Sequence, residues 1–233
     1  MKHVFVFLII GIVSCAANSS AGDPVLSAAS YEAVYIPNGF DSNDNVQLMA
    51  EGIFPTNCYK IAQPKARIDQ TKKIILLDAR AYRYSGQCDS IEISFQQEVN
   101  LGIIKSPGNY KVKTSQGKLI GNILIKPATT DRPDDYFYAP VQGVAFENTS
   151  QNRLTVQMYF KTRCVELDRI EVEKQDKVIV ILPIAKIVQS MRCLSENYPV
   201  SSTIDIGPLK SGRYLLHVRS SGSQALNQLV TVQ

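Results

Sequence analysis

The chain has 233 residues, a formal net charge of +4, 45% hydrophobic and 20% charged residues, and no tryptophan. That length accommodates two domains of ordinary size. Beyond the N-terminus no apolar run reaches the 18 residues expected of a membrane-crossing helix. The mild positive charge is spread evenly, without a basic stripe or a nucleic-acid-binding motif, which argues against nucleic acid as a partner.

Met1-Lys2-His3 precedes a ten-residue apolar core, Val4 to Val13, the pattern of an export signal. It ends in Ile12-Val13-Ser14-Cys15. This tetrapeptide resembles the lipobox of bacterial lipoproteins: aliphatic residue, tolerated second position, small residue, cysteine. The resemblance implies a signal peptide over 1–14, lipid attachment at Cys15 and a membrane anchor. Ala16 stands where aspartate would imply retention at the inner membrane, so the resemblance favours the outer membrane. Cys15 is also the odd one of five cysteines, and an unpaired cysteine in an exported chain requires a reason. The competing reading is ordinary secretion, with cleavage after Ala17 or Ala21 and Cys15 discarded. Residues 15–29, small and polar, read as a flexible tether.

Residues 30–127 carry a succession of short strand patterns. Tyr31 to Ile36 reads as an edge strand stopped by Pro37-Asn38-Gly39. Asp41-Ser42-Asn43-Asp44-Asn45 reads as a turn. Val46, Leu48 and Ala50 then alternate with Gln47, Met49 and Glu51, the period of a half-buried strand. Ile74 to Leu77 is a continuous apolar run, expected to be covered on both faces. Ile91, Ile93 and Phe95 alternate with Glu92 and Ser94; Tyr110 and Val112 alternate with Lys111 and Lys113. Gly117 turns the chain into a last strand, Leu119 to Ile125.

Residues 128–135, polar and containing Pro133, read as a linker, after which the pattern restarts over 136–233. Tyr136-Phe137-Tyr138-Ala139-Pro140 is matched to Tyr35-Ile36-Pro37. Leu154, Val156, Met158 and Phe160 repeat the second strand, Val178 to Leu182 the covered one, and Tyr214, Leu216 and Val218 the penultimate one. Ile184, Ile187, Val188 and Met191 have helical spacing, which suggests a single helical turn before Cys193. The repeat period, about 105 residues, indicates domain duplication rather than a solenoid.

Four cysteines pair by this repeat, Cys58 with Cys88 and Cys164 with Cys193. Export and symmetry favour two disulfides over a four-thiolate metal site, for which the short Cys-x2-Cys pairs are missing. Ile104-Lys105-Ser106-Pro107-Gly108-Asn109-Tyr110 and Leu209-Lys210-Ser211-Gly212-Arg213-Tyr214 are similar to the tyrosine corner of immunoglobulin and fibronectin type III sandwiches. The paired-cysteine arrangement also resembles that of exported bacterial proteins with immunoglobulin-like modules. Together these imply an all-β fold of two tandem Ig-like antiparallel sandwiches. The tyrosine hydroxyl is then expected to bond backbone upstream of it.

Candidate chemistry is sparse. Asp41 to Asn45 matches the opening of a calcium loop, yet Val46 replaces the turn glycine and Glu51 falls one position short of the bidentate acid; calcium and a plain turn both remain open. His217, between Leu216 and Val218, is expected on the exposed face of its strand. Glu171 and Glu173 are expected on an exposed face too. Tyr136, Phe137 and Tyr138, with Tyr82 and Tyr84, form either a binding surface or an alternating edge. No cofactor or metal is expected. The sequence favours a non-enzymatic, lipid-anchored envelope protein with a protein or glycan partner. Its alternatives are a soluble periplasmic or secreted inhibitor or ligand-binding protein, and a weak carboxylate hydrolase. The Asp/Asn turn and the Ile184–Met191 stretch, which differ between the repeats, are where binding is expected.

Overall fold

The computed structural model describes residues 23–132, 134–188, 193 and 195–233, and among them the regular structure is strand without helix. Cys15 and the signal segment lie outside the described residues. The N-terminal half contains β1 (Val25–Ala28), β2 (Ala33–Tyr35), β3 (Phe40–Asp41), β4 (Asn45–Phe54), β5 (Tyr59–Ile61), β6 (Lys65–Asp69), β7 (Ile74–Asp78), β8 (Arg80–Arg83), β9 (Ile93–Ile103), β10 (Gly108–Thr114) and β11 (Leu119–Lys126). The C-terminal half contains β12 (Val141–Glu147), β13 (Arg153–Phe160), β14 (Val165–Gln175), β15 (Val178–Ile187), β16 (Tyr198–Asp205), β17 (Gly212–Ser220) and β18 (Gln224–Val232).

In the N-terminal half, β2-β4-β9 packs across from β3-β11-β10-β7-β6, with β1-β8-β5 as a third, small sheet. In the C-terminal half, β12-β13-β16 faces β14-β15-β17-β18. Inward residues follow the strand period of two. Leu48, Ile75, Tyr110 and Ile123 meet in the first core, and Leu154, Val156, Phe160, Ile181 and Leu216 in the second.

The sheets are not purely antiparallel as expected. β7 runs parallel to β10, β15 to β17, and β3 to β11. A parallel pair requires a long crossover. Between β7 and β10 the chain supplies it by passing through β8 and β9, which lie in other sheets.

Four further expectations are corrected. Val25–Ala28, read as tether, pairs antiparallel with β8 in register Leu26↔Tyr82. Tyr136–Pro140 corresponds to this β1 segment rather than to Tyr35–Pro37. Tyr138 bridges Ile184 and Ala139 N–H donates to Pro183 O, as Ala29 N–H donates to Ala79 O. Ile184 to Ile187, given a helical turn, continues β15, pairing with β14 as far as Val165; Met191 lies outside the described residues. Ile74 and Leu76 are only half-buried, whereas β15 is buried on both faces from Val178 to Ala185.

The tyrosine corners have the expected hydrogen bond. Tyr110 Oη donates to Ser106 O at 2.7 Å and Tyr214 Oη to Lys210 O at 2.9 Å. Gly108 and Gly212 precede them at φ of +145° and +146°. A Cβ at Gly212 would lie 2.8 Å from Lys177 Nζ, which sits 4.7 Å from the Tyr214 ring centroid. Lys73 holds the same position 4.9 Å from Tyr110. Each corner therefore combines a cation over the ring with a hydroxyl bond beneath it. Tyr110→Phe and Tyr214→Phe are each expected to lower unfolding free energy by about 1 kcal/mol, the net value of one such bond, read from urea melts.

Candidate functional site: the seam between the halves

Alternation on a strand fixes which residues share a face but not what covers that face. On β15 the residues Val178, Val180, Leu182 and Ile184 point away from their own core. With Leu215 and Leu229 they form a third apolar cluster against Tyr35 and Met49 of the other half. That cover explains why β4 is buried on both sides, including Gln47, where a half-buried strand was expected.

Polar residues are threaded through the cluster. Arg219 donates to Asp44 Oδ2 at 3.1 Å and to Gly39 O at 3.3 Å, with its guanidinium 4.5 Å from the Phe40 ring centroid. The paired side chains are 6% and 7% exposed. Burial raises the Asp44 carboxyl above the usual carboxylate range, and this outweighs the attraction of Arg219. Nearby, Arg213 Nε lies 3.3 Å from Glu51 Oε2, and Tyr35 Oη donates to Glu51 Oε1 at 2.6 Å.

His217 is corrected from exposed to fully buried. Its Nδ1 lies 2.7 Å from Asn227 Oδ1, while Asn227 Nδ2 donates to Glu98 Oε2 at 3.0 Å and to Gln47 Oε1 at 3.3 Å. Because the amide NH2 group serves those two acceptors, Asn227 Oδ1 takes the proton on Nδ1. This assigns the neutral Nδ1–H tautomer. Nε2 has no partner among the described residues, and the ring meets Phe40 edge-on at 5.7 Å. Burial, and secondarily the charge of Arg219, depress the imidazole to about 3. A buried imidazole so depressed remains neutral at ordinary pH, and its place is structural.

The Asp41–Asn45 turn closes on itself and on the chain between the halves. Asn43 N–H donates to Asp41 Oδ1 and Asp41 N–H to Asp44 Oδ2, both at 3.0 Å. Asn43 Nδ2 donates to Thr130 O and Arg132 O, both at 2.8 Å. Ala128 N–H donates to Ser42 Oγ at 3.1 Å, and Ser223 N–H to Asp134 Oδ2 at 3.2 Å. The turn thus ties down Ala128, Thr130 and Arg132, and its Asp44 serves Arg219. Among the described residues no three His, Cys, Asp or Glu side chains gather in a metal-binding group.

The remaining sites separate. Cys58 bonds Cys88 and Cys164 bonds Cys193. In the full chain, alkylation before reduction is expected to leave these four cysteines unmodified in a mass map. Glu171 lies on the seam side of β14, half-buried and 2.7 Å from Arg169 Nε, and Glu173 is exposed on the same side. Tyr82 is exposed and Tyr84 half-buried beneath Lys60. Tyr138 is buried, whereas Tyr136 and Phe137 are both exposed, so the three do not simply alternate.

Alongside the seam lies a hollow of about 490 Å³. Tyr138, Val180, Leu182 and Arg219 form its buried lining; Leu124, Lys126, Tyr136 and Glu173 stand at its exposed rim. Asn38 N–H donates to Gln175 Oε1 at 2.9 Å across one end. Burial raises the Tyr138 hydroxyl far above its ordinary value, so it is held as a donor. Sequence reasoning missed this hollow because its two walls come from different halves. The one available signal was the aromatic run at Tyr136. No protein-family profile, curated protein or solved structure matches the chain.

Proposed function

We propose that the chain is an exported, non-enzymatic binding protein of the bacterial envelope, held to the outer membrane through lipid on Cys15. In this reading two Ig-like sandwiches, related by duplication, act as one scaffold for an envelope ligand. The observation that carries it is the seam: a second face of the β14-β15-β17-β18 sheet is buried under the other half. An interface built like a core fixes relative orientation, where loosely joined domains would swivel.

Other features support the reading. Two disulfides suit an oxidising compartment. The duplication is supported by matched tyrosine corners, matched parallel pairs β7–β10 and β15–β17, and matched cysteines. His217, expected from the sequence on an exposed face, is enclosed and hydrogen-bonded within the seam. β1 begins at Val25, ten residues beyond Cys15, so a tether of that length keeps the body within about 35 Å of an anchored cysteine.

The test is Cys15→Ser in the full chain. Wild-type protein is expected in the membrane fraction, with an acylated N-terminal mass, and the variant is expected to lose the acyl mass. Identical processing and fractionation of the two would remove the lipid-anchor reading.

A further inference from the structure

We propose that the hollow beside the seam is a binding site for a neutral oligosaccharide, a proposal that rests on the binding-protein reading and assigns its ligand class. Its position is the first argument. Ligand sites favour clefts between packed units, and about 490 Å³ lies inside the usual range of roughly 300–1,000 Å³ for small-molecule sites. The walls are preformed because the Arg219–Asp44 pair and the Asn38–Gln175 bond fix the halves on either side. A preformed site orders little on binding.

The second argument is the state of its polar groups. Neither the Tyr138 hydroxyl nor the Lys126 and Glu173 side chains has a hydrogen-bond or ion-pair partner among the described residues. Tyr138 is nonetheless 6% exposed, and its residual opening is to this hollow. Unlike the enclosed Nε2 of His217, this hydroxyl keeps access to solvent, so an acceptor supplied by a ligand would take the place of water there. A sugar oxygen or acetamido carbonyl is such an acceptor. Glu173 accepts from sugar hydroxyls and Lys126 donates to them.

Charge and shape narrow the class. Arg219 is already paired with Asp44, which leaves Lys126 against Glu173 and Asp135 in the lining, so the surroundings disfavour an anion. The exposed ring of Tyr136 and the side chain of Leu124 offer the flat apolar surface on which the C–H face of a pyranose stacks. Tyr136 also borders a second hollow of about 550 Å³, lined by Thr130 to Arg132 and Asp134 to Phe137. The aromatic thus stands between two adjoining spaces, which fits a chain of sugar units better than a single one. An extended peptide would instead add to a free strand edge, and at this hollow the edge strand is β14, which carries Glu173 and Gln175; a preference for peptide over sugar is therefore an outcome the titration must exclude. The β11 wall offers no such edge, because β2 ends at Tyr35 and β3 begins at Phe40 against Ile125, with Pro37–Gly39 between them.

The test uses the full oxidised chain, in a detergent without a sugar headgroup, titrated with maltotriose, cellotriose and N,N′,N″-triacetylchitotriose. Backbone amide shifts and tyrosine fluorescence, uncluttered because there is no tryptophan, are the readouts. At least one trisaccharide is expected to move the amides of Lys126, Tyr136 to Tyr138 and Glu173 to Gln175 with millimolar or tighter affinity. Tyr136→Ala and Glu173→Ala are each expected to weaken binding about tenfold or more, with the melting temperature unchanged because both side chains stand at the exposed rim. No response to any of the three at 10-fold excess over millimolar protein, or shifts mapped elsewhere, overturns the proposal. So does binding that survives both substitutions, or preference for a charged ligand such as a basic peptide. The titration is made on purified protein. Failure here therefore leaves membrane attachment standing, and failure of the Cys15→Ser test leaves sugar binding standing.

Discussion

Replacing Arg219 with alanine is expected to destabilise the protein by about 3–5 kcal/mol, the range for removing one partner of a buried ion pair. The cause is not the loss of attraction as such. Asp44, with its side chain 7% exposed, would remain enclosed without a counter-charge, and the Gly39 carbonyl and Phe40 ring would lose their cation. The double variant Arg219→Met, Asp44→Leu removes both charges and is expected to lose less than Arg219→Ala alone. Its recovery is incomplete because Asp41 N–H then has no acceptor. Urea unfolding of the oxidised full chain at constant pH measures both. A change under about 0.5 kcal/mol, the size usual for surface substitutions, for Arg219→Ala would mean the seam is not closed as described.

Acid is expected to weaken the protein through His217 well above the pH at which most carboxylates titrate. In the folded state the imidazole is depressed to about 3 by burial and by Arg219, against the bond from Asn227, which acts upward. In the unfolded chain it titrates near 6.5. Between those values the unfolded state binds a proton that the folded state refuses. Stability is therefore full above about pH 6.5 and falls as pH drops, by about 1.4 kcal/mol per unit well below that value. The groups facing the ring are Asn227, Phe40 and Arg219, with Asp44 behind the guanidinium and Glu98 behind the amide. Asp44 and Asp134 are raised by burial, so they take up protons first in the folded state and act in the opposite sense. Both are common to the wild type and a His217 variant, so the difference between their profiles isolates the imidazole. His217→Gln is expected to flatten the stability profile between pH 6.5 and pH 5, whatever its own cost in stability. Parallel profiles for wild type and variant would show that His217 is reached by solvent.

What was legible in the sequence was local. The tyrosine corners could be read because Gly108 and Tyr110, or Gly212 and Tyr214, lie two residues apart and make their contacts within a few positions. The cysteine pairs could be read because two like spacings, 30 and 29 residues, suggested their partners. The seam could not. His217 and Lys113 occupy equivalent strand positions, and both point away from their own core. For Lys113 that direction is the surface, whereas for His217 it is the other half. The same ambiguity hid the two-sided burial of β4 and exaggerated that of β7. Parallel pairing was hidden too, because it depends on which strands cross between sheets. The hollow fared worst: Leu124, Tyr136 and Glu173 are each ordinary surface residues until two halves are placed side by side.

The central claim is that the seam makes one cooperative body of the two halves, and calorimetry of the oxidised full chain tests it most directly. A single transition, with calorimetric and van't Hoff enthalpies equal, is expected for the wild type, and Arg219→Ala is expected to split or broaden it. Two separate transitions in the wild type, each accounting for about half the heat, would contradict the claim and leave the halves as independently folding units.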